Sequence, residues 1–399
     1  MNAASLPPAK LRIAMVAACP FPWPRGTPVR ARRLAESLHN LGHEVHVITY
    51  HLGDHSVALP FHVHRIPKVF TYRKVSPGPT LQKLVVVDFL LWRALRRFLD
   101  RVPIDLIHAH HYEGLLTASA ANRSHNLPVI YDAHTLLSSE LPFYGPGVPS
   151  WLKRLVGGHL DHKVPRLAQH VIAVTEQIQQ QLCDHGNFHS RDVSVIPNGV
   201  EVDFFQQRTD ACESPRGHDR VIVYAGTLAA YQGIELLLQA FARLRQTEKG
   251  CRLRFVTNST FARFDPLARE LCIRDDIEIV EAAFSELPRE LHRADVLVNP
   301  RVACDGLPQK LLNYMAAGKP IVSFAGSAKT LKHEKNGLVV EDYDLDAFAA
   351  AIARFLKDPV LSQAVAAKAL SDARARSWAV VGHQVETVYG AVLRGEPDR

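Results

Sequence analysis

Short apolar runs alternate with helical patterns along almost the whole chain, and they do so in two separate series. In the first, Leu11–Ala18, Glu44–Tyr50, Ile104–Ala109, Pro128–Asp132, His170–Val174 and Val193–Pro197 have the length and apolar continuity of buried parallel strands. Helical patterns at Arg30–Leu41, Gly114–Arg123 and Glu176–His185 lie between them. Arg208 to Asp219 is polar and aperiodic and reads as a linker. The alternation then restarts with Arg220–Ala225, Leu253–Thr257, Ile277–Val280, Ala294–Asn299, Pro320–Phe324 and Gly337–Val340 as strands. Ile234–Gln246, Pro266–Ile273 and a segment from Gly306 supply the helices of this second series. Such alternation predicts two doubly wound α/β domains, residues 1–207 and 220–376, joined by the linker 208–219. Leu345–Leu356, Val360–Ala375 and Trp378–Leu393 read as helices, and residues 377–399 form a closing segment.

Each half is long enough, at about 200 residues, to bury its own core. Charge divides unevenly between them. Residues 1–200 carry 21 Lys+Arg against 13 Asp+Glu, whereas residues 201–399 carry 26 against 27, so the basic excess belongs to the first half. An anionic ligand or surface would bind there. Histidine follows the same bias, with 17 of 21 before residue 200; His39, His43, His46, His51, His55, His62 and His64 read as the habit of a basic domain. The six cysteines show no metal-ligand or redox spacing and read as reduced structural thiols of a cytoplasmic protein. The N-terminal apolar run is too short for a signal peptide, and the longest apolar stretch, Leu84 to Trp92, contains Asp88, so no membrane span is expected. Leu81 to Arg101 joins an apolar body to Arg93, Arg96, Arg97 and Arg101. That helix can lie on an anionic bilayer or pack on the sheet with its basic end in water. No aromatic stacking motif accompanies the basic residues, and nucleic acid is not expected as a partner.

No G-x-G-x-x-G follows the first strand and no G-x-x-x-x-G-K-[ST] loop occurs, which disfavours a dehydrogenase and a nucleotide triphosphatase. The stretch GLPQKLLNYMAAGKPIV, Gly306 to Val322, opens a helix at Gly306 and Pro308 and stops it at Gly318 before a strand. Unpaired N–H groups at a helix start, with Lys310 one turn in, can hold an anion. An ordinary helix–strand unit explains the same residues. Asp342, Asp344 and Asp346 make two D-x-D spacings that could suggest a metal clamp, and they read instead as carboxylates at a helix start.

Six segments in one order carry a resemblance: PFPWPRGTPVRARRLAESLHNLGHEVHVIT, DLIHAHHYEGLLTA, VIYDAHTLLSSELP, VIPNGVEVDFF, YAGTLAAYQGIELLLQAFARL, and DVLVNPR through NGLVV. Together they resemble the retaining glycosyltransferases of the GT-B fold, family four (group 1). The resemblance implies an α/β protein of two facing Rossmann-like domains, with a final helix crossing back to the first. It also implies transfer of a sugar, with retention, from a nucleotide diphosphate sugar to a glycan or glycolipid acceptor. Neither a cofactor nor a metal is expected, and a peripheral place at the inner face of the cell membrane fits the basic first half.

Carried over residue by residue, the family's Arg and Lys at the diphosphate fall on Thr227 and Gln232, so both charges are gone. Either Arg301, Lys310 or Lys329 supplies charge instead, or the chain is a catalytically silent homologue acting as a partner subunit; an epimerase of the same fold is a further alternative. The family's two glutamates fall on Asp305, at the donor sugar or capping the helix, and Asn313, at the ribose. Gly226, Gly306 and Leu307 complete the donor loops. Gly26 and Thr27 match a glycine loop that approaches the diphosphate from the first domain. His134 matches a histidine that contacts the transferred sugar, with a structural histidine as the alternative. His110, His111, Glu113 and Glu140 would line the same cleft and order an acceptor, and Arg30, sharing a helix face with Arg33, would meet an anionic one or simply be solvated. His134 and Asp305 are the expected catalytic pair.

Overall fold

The computed structural model describes residues 10–23, 26–75, 78, 80, 82–144, 149–184, 188–189, 192–207, 220–303 and 308–395. The chain divides into two compact units, residues 1–198 with 378–399, and residues 199–377. The first is built on a seven-stranded parallel sheet of β1 (Arg12–Ala17), β2 (Glu44–Thr49), β3 (His62–Arg65), β4 (Leu106–His110), β5 (Val129–Ala133), β6 (His170–Ala173) and β7 (Val193–Val195). Their order across the sheet is β3-β2-β1-β4-β5-β6-β7. Strand β3 has no counterpart in the sequence reading, because its HVHR alternates and, at the sheet edge, is only partly buried.

Helices α1 (Thr27–Asn40), α2 (Asp88–Leu99), α3 (His111–Asn122), α4 (Leu137–Glu140), α5 (Ser150–Lys163) and α6 (Glu176–Asp184) complete this unit's framework. Pro28 starts α1, where its missing N–H is no loss, and Ala31, Leu34, Ala35 and Leu38 give the helix its buried stripe. One π-helical turn, Lys83–Val87, leads into α2, which buries Leu91, Leu95 and Phe98. Cores form on both faces of the sheet, one under α2 and α3 and the other under α1.

The second unit opens with α7 (Val202–Gln206) and holds a six-stranded parallel sheet in the order β10-β9-β8-β11-β12-β13. Its strands are β8 (Arg220–Ala225), β9 (Cys251–Val256), β10 (Ile277–Val280), β11 (Val296–Asn299), β12 (Ile321–Phe324) and β13 (Leu338–Val340). Helices α8 (Ile234–Thr247), α9 (Asp265–Glu270), α10 (Leu287–His292), α11 (Gln309–Ala316), α12 (Ala325–Ala328), α13 (Leu345–Lys357) and α14 (Pro359–Arg374) surround it. Residues 199–207 group with this unit although they follow β7 directly. Gln206 Nε2 donates to the Ala316 carbonyl at 2.6 Å, and His292 Nε2 lies 2.8 Å from the Phe205 carbonyl oxygen. Asp344 caps α13, accepting from Ala347 N at 2.9 Å, while Asp342 accepts from Gly326 N and Asp346 pairs with Arg243. The expected linker, 208–219, lies outside the described residues.

The last helix, α15 (Trp378–Arg394), returns to the first unit and packs on α1. At Gly382 a Cβ would stand 2.1 Å from Ser37 Oγ, so only glycine permits the approach. Ser37 Oγ donates to the Trp378 carbonyl at 2.8 Å, and His43 Nε2 meets Glu386 at 2.9 Å. His43 thus anchors α15.

Candidate active site

In the first unit the candidate residues gather at the C-terminal ends of β4 and β5, the edge where open α/β sheets bind ligands. At the centre is Asp132, fully buried, whose carboxylate accepts from Arg30 Nε at 2.8 and 3.1 Å. The Arg30 guanidinium also donates to the Ile196 carbonyl at 2.9 Å and to Asn198 Oδ1 at 3.1 Å. Arg30 was expected to share a helix face with Arg33, either meeting an anionic acceptor or simply solvated. It is instead only 2% exposed, because an uncompensated carboxylate on β5 would be far costlier to bury than this ion pair.

Three imidazoles surround the same carboxylate. His108 Nε2 is 3.4 Å, His110 Nδ1 3.5 Å and His134 Nε2 3.8 Å from it. His108 Nδ1 lies 2.6 Å from the Tyr389 hydroxyl of α15. Burial raises the Asp132 carboxyl, but Arg30 and the neighbouring histidines overcome it and hold it well below the usual range. Burial pushes His134 down to about 3 and His110 well below its ordinary value, the pull of Asp132 notwithstanding. Both rings are therefore neutral near pH 7. His110 Nδ1 and His134 Nε2 are 3.1 Å apart, and His134 Nδ1 is 3.4 Å from Thr27 Oγ1. His110, expected as an acceptor contact, is completely buried behind His134, and its Nε2 has no hydrogen-bond partner among the described residues. His108, His110 and Asp132 each present a ligand-type atom within 4.8 Å of the others, yet the carboxylate is already committed to Arg30.

Beside this cluster lies a cavity of about 430 Å³, reached by Gly26, Thr27, His111, Glu113 and Glu140. Gly26 caps α1 with φ +54°. His111 opens α3 with φ +64°, a conformation rarely adopted outside glycine and costing about 1–3 kcal/mol. Its ring lies between two carboxylates, in a short contact with Glu113 and 3.3 Å from Glu140. Burial opposes the charge on His111, but those carboxylates raise it to about 10. Reciprocally, Glu140 sits at about 2 and Glu113 lower still, each against the effect of burial. Lys83 Nζ closes the network on Glu113 at 2.6 Å. Neither Lys83 nor Asp132 was singled out from sequence: Lys83 sits inside an apolar run, and Asp132 reads as the end of a strand. Cys19 lines the cavity too, but burial pushes its thiol up to about 12, so it is no nucleophile.

In the second unit the candidates gather where β8 ends. Lys310, on α11, places Nζ 2.5 Å from Gln232 Oε1, 3.0 Å from the Tyr224 hydroxyl and 4.3 Å from the centre of the Tyr224 ring. A Cβ on Gly226 would stand 3.3 Å from the same ammonium. Tyr224 donates onward to the Thr227 carbonyl at 2.7 Å. Tyr314 fixes α11 against β8, accepting from Ala225 N at 2.7 Å and donating to the Ala225 carbonyl at 3.1 Å. Gly233, with φ +72°, starts α8 where a Cβ would stand 2.1 Å from the Pro300 carbonyl oxygen. Arg301 lies over the Tyr231 ring at 4.9 Å, and its Nε donates to the Ala303 carbonyl at 2.5 Å. Asn313 is half-buried one turn beyond Lys310, and Lys329 is exposed. Asp305, Gly306 and Leu307 lie outside the described residues, and α11 is seen from Gln309.

Residues 24–204 match the sequence model of Glycosyltransferase Family 4, and residues 219–358 match that of Glycosyl transferases group 1. The D-inositol 3-phosphate glycosyltransferase of Corynebacterium glutamicum (strain R) is 23% identical over 316 residues, which cover 74% of this chain and 74% of that protein. An uncharacterized glycosyltransferase of Methanocaldococcus jannaschii is 24% identical over 387 residues, 91% of this chain and 94% of its own. Among solved structures, a sucrose-phosphate synthase from Thermosynechococcus elongatus has a TM-score of 0.74 at 19% identity, covering 97% of this chain and 100% of that one. HepE of Anabaena, solved in complex with UDP and glucose, has a TM-score of 0.69 at 17% identity, covering 96% and 100%. At these identities the structural likeness establishes the fold. With a matching model on each unit and two parallel Rossmann-like sheets, the chain belongs to the family 4, group 1 glycosyltransferases of the GT-B fold.

Proposed function

We propose that this glycosyltransferase moves a sugar, with retention and without a metal, from a nucleotide diphosphate donor to a glycan or glycolipid acceptor. The observation that carries the reading is the Lys310 ammonium, held against Gln232 and beside Gly226 at the end of β8. The family pattern has a basic side chain where Gln232 stands. Here a lysine from α11 brings a positive charge to that same spot, and the substituted glutamine orients it. Arg301 and the helix start before Gln309 add to the positive field, Asn313 can hold the ribose, and Gly226, Thr227, Gly306 and Leu307 are further candidate donor contacts, as are Gly26 and Thr27. The UDP complex of the Anabaena neighbour supports a nucleotide donor.

A departing diphosphate and an oxocarbenium-like sugar develop charge together, so fixed cations and dipoles at the phosphate do most of the catalytic work. His134 is a neutral imidazole whose conjugate acid is too strong for it to serve as the base at neutral pH. It therefore holds a sugar hydroxyl, Asp305 holds another, and the leaving phosphate takes the acceptor proton on the same face. His111, Glu113 and Glu140 order the acceptor, on the first unit at the inner face of the membrane. No helix among the described residues is long and apolar enough to cross a membrane.

Thr227 and Gln232 also favour a second reading, a silent homologue that binds a partner. Purified protein incubated with UDP-, GDP- and ADP-sugars separates the two. Thermal stabilisation and slow donor hydrolysis with one donor support the transferase; neither with any donor supports the silent homologue. Interconversion of a UDP-sugar without an acceptor would identify an epimerase.

A further inference from the structure

The cavity beside His111 is roomy, and its walls are mostly apolar, with Tyr50, Tyr72, Leu84, Leu116, Leu137 and Leu160 among the residues that line it. Its volume of about 430 Å³ falls in the range, roughly 300–1,000 Å³, of small-molecule sites. The polar groups that line it are largely spent on one another. Lys83 is paired with Glu113, and Glu140 accepts from Thr135 at 2.7 Å and from Tyr144 at 2.8 Å besides meeting His111. A bare oligosaccharide needs a partner for almost every hydroxyl it desolvates, and these walls offer few. An alkyl chain needs none.

The apolar lining continues out of the cavity onto the surface. Leu84 belongs to both, being 51% exposed, and is followed by Val85 and Phe89, 61% and 52% exposed, on one face of the helix leading into α2. Further along that face come Trp92, packed 5.4 Å from Phe89, and then Arg93, Arg96 and Arg97, all exposed. On α5, whose Leu160 lines the cavity, Trp151 and Leu155 are 67% and 65% exposed and Arg154 lies between them. Exposed apolar side chains with arginines beside them on the same helix are complementary to a bilayer with anionic headgroups, which takes the apolar groups and neutralises the cations.

We propose that the acceptor is a lipid-linked hydroxyl compound taken from an anionic bilayer: its apolar chain fills this cavity, and the strip of Val85 and Phe89, together with the exposed Trp151 and Leu155 of α5, seats the first unit on that bilayer. The proposal rests on the glycosyltransferase reading and narrows its acceptor to one chemical class. The hydroxyl to be glycosylated then lies at the polar end, near His111 and Glu140, within reach of the Thr27–His134 pair.

Three measurements on the full chain test it. Calorimetry compares decyl maltoside, below its micelle concentration, with maltose; the alkyl compound should bind at least about tenfold tighter, and Leu116→Trp, which puts a larger side chain into the lining, should remove that difference. Flotation with vesicles of phosphatidylcholine, alone or mixed with phosphatidylglycerol, should show binding only to the mixture, and Val85→Glu/Phe89→Glu should weaken it at least about tenfold while circular dichroism stays unchanged. Thermal stabilisation by nucleotide sugars, unaffected in that double variant, reports the donor site separately. Equal binding of maltose would assign the cavity to a soluble glycan and overturn the proposal. So would vesicle binding indifferent to phosphatidylglycerol, or unchanged in the double variant. A dimer dissolved by the double variant, without vesicle binding, would give the strip to a second copy of the chain and overturn it too. Donor stabilisation with none of these bindings sinks the lipid acceptor and leaves the transferase standing; the bindings without donor stabilisation do the reverse.

Discussion

Lys310 Nζ lies 2.5 Å from Gln232 Oε1, so a cation from α11 occupies the neighbourhood of a residue that precedes α8 by two positions. A charge-assisted phosphate contact is worth about 1.5–3 kcal/mol, so Lys310→Ala should weaken UDP or GDP binding about 10- to 100-fold. Gln232→Lys introduced into that variant should recover much of the loss, because it restores a cation at the same place. Titration calorimetry decides; wild-type affinity in Lys310→Ala removes this lysine from the donor site.

His134→Ala and Asp305→Ala should each lower kcat by about 10²-fold or more while leaving the dissociation constant of the nucleotide nearly unchanged, since neither is assigned to base or ribose. Because His134 is neutral down to about pH 3, kcat should show no break from this residue between about pH 5 and 8. Full turnover in both variants would place the catalytic centre elsewhere, and an inverted product would overturn same-face transfer.

Removing one member of a buried ion pair leaves the other uncompensated, at about 3–5 kcal/mol. Arg30→Met should therefore lower Tm by roughly 6–20 °C for a unit of this size. Arg30→Met/Asp132→Asn, which removes both charges, should lose less than the sum of the single variants. Additivity within error would show that Arg30 and Asp132 contribute separately.

Stability should peak near pH 6.5. The fold raises His111 from 6.5 to about 10, a contribution complete below pH 6.5 and lost as pH rises toward 10. It lowers His134 from 6.5 to about 3 and His110 in the same direction, so protonation of the unfolded chain costs stability as pH falls below 6.5. Glu140, lowered from 4.5 to about 2, adds a stabilisation that is present above pH 4.5 and lost below it. Urea unfolding between about pH 4 and 10 gives the profile. His111→Gln should flatten the alkaline limb and leave the acid limb in place; an unchanged alkaline limb would show that His111 is not held as a cation.

Most strands and long helices were legible because a buried parallel strand is a continuous apolar run and an amphipathic helix has its own period. The edge strand β3 was not, since HVHR buries too little to show a pattern. His134 and Lys310 could be picked out because each stands at a strand end or helix start within a quotable segment. Arg30 could not be placed correctly: on a helical wheel it shares a face with Arg33, but nothing local announces a carboxylate 102 residues away.

The order of elements and the two-unit plan are properties of the sequence alone, because they depend on residue type and short-range period. The tertiary structure alone decided which charges are neutralised by which partners. It set Lys310 beside Gln232, 78 positions away, buried Arg30 against Asp132, held His111 between Glu113 and Glu140, and joined residues 199–207 to the second unit. Each of these depends on distance and desolvation between segments remote in the chain, and electrostatic energy scales with those quantities rather than with position in the sequence.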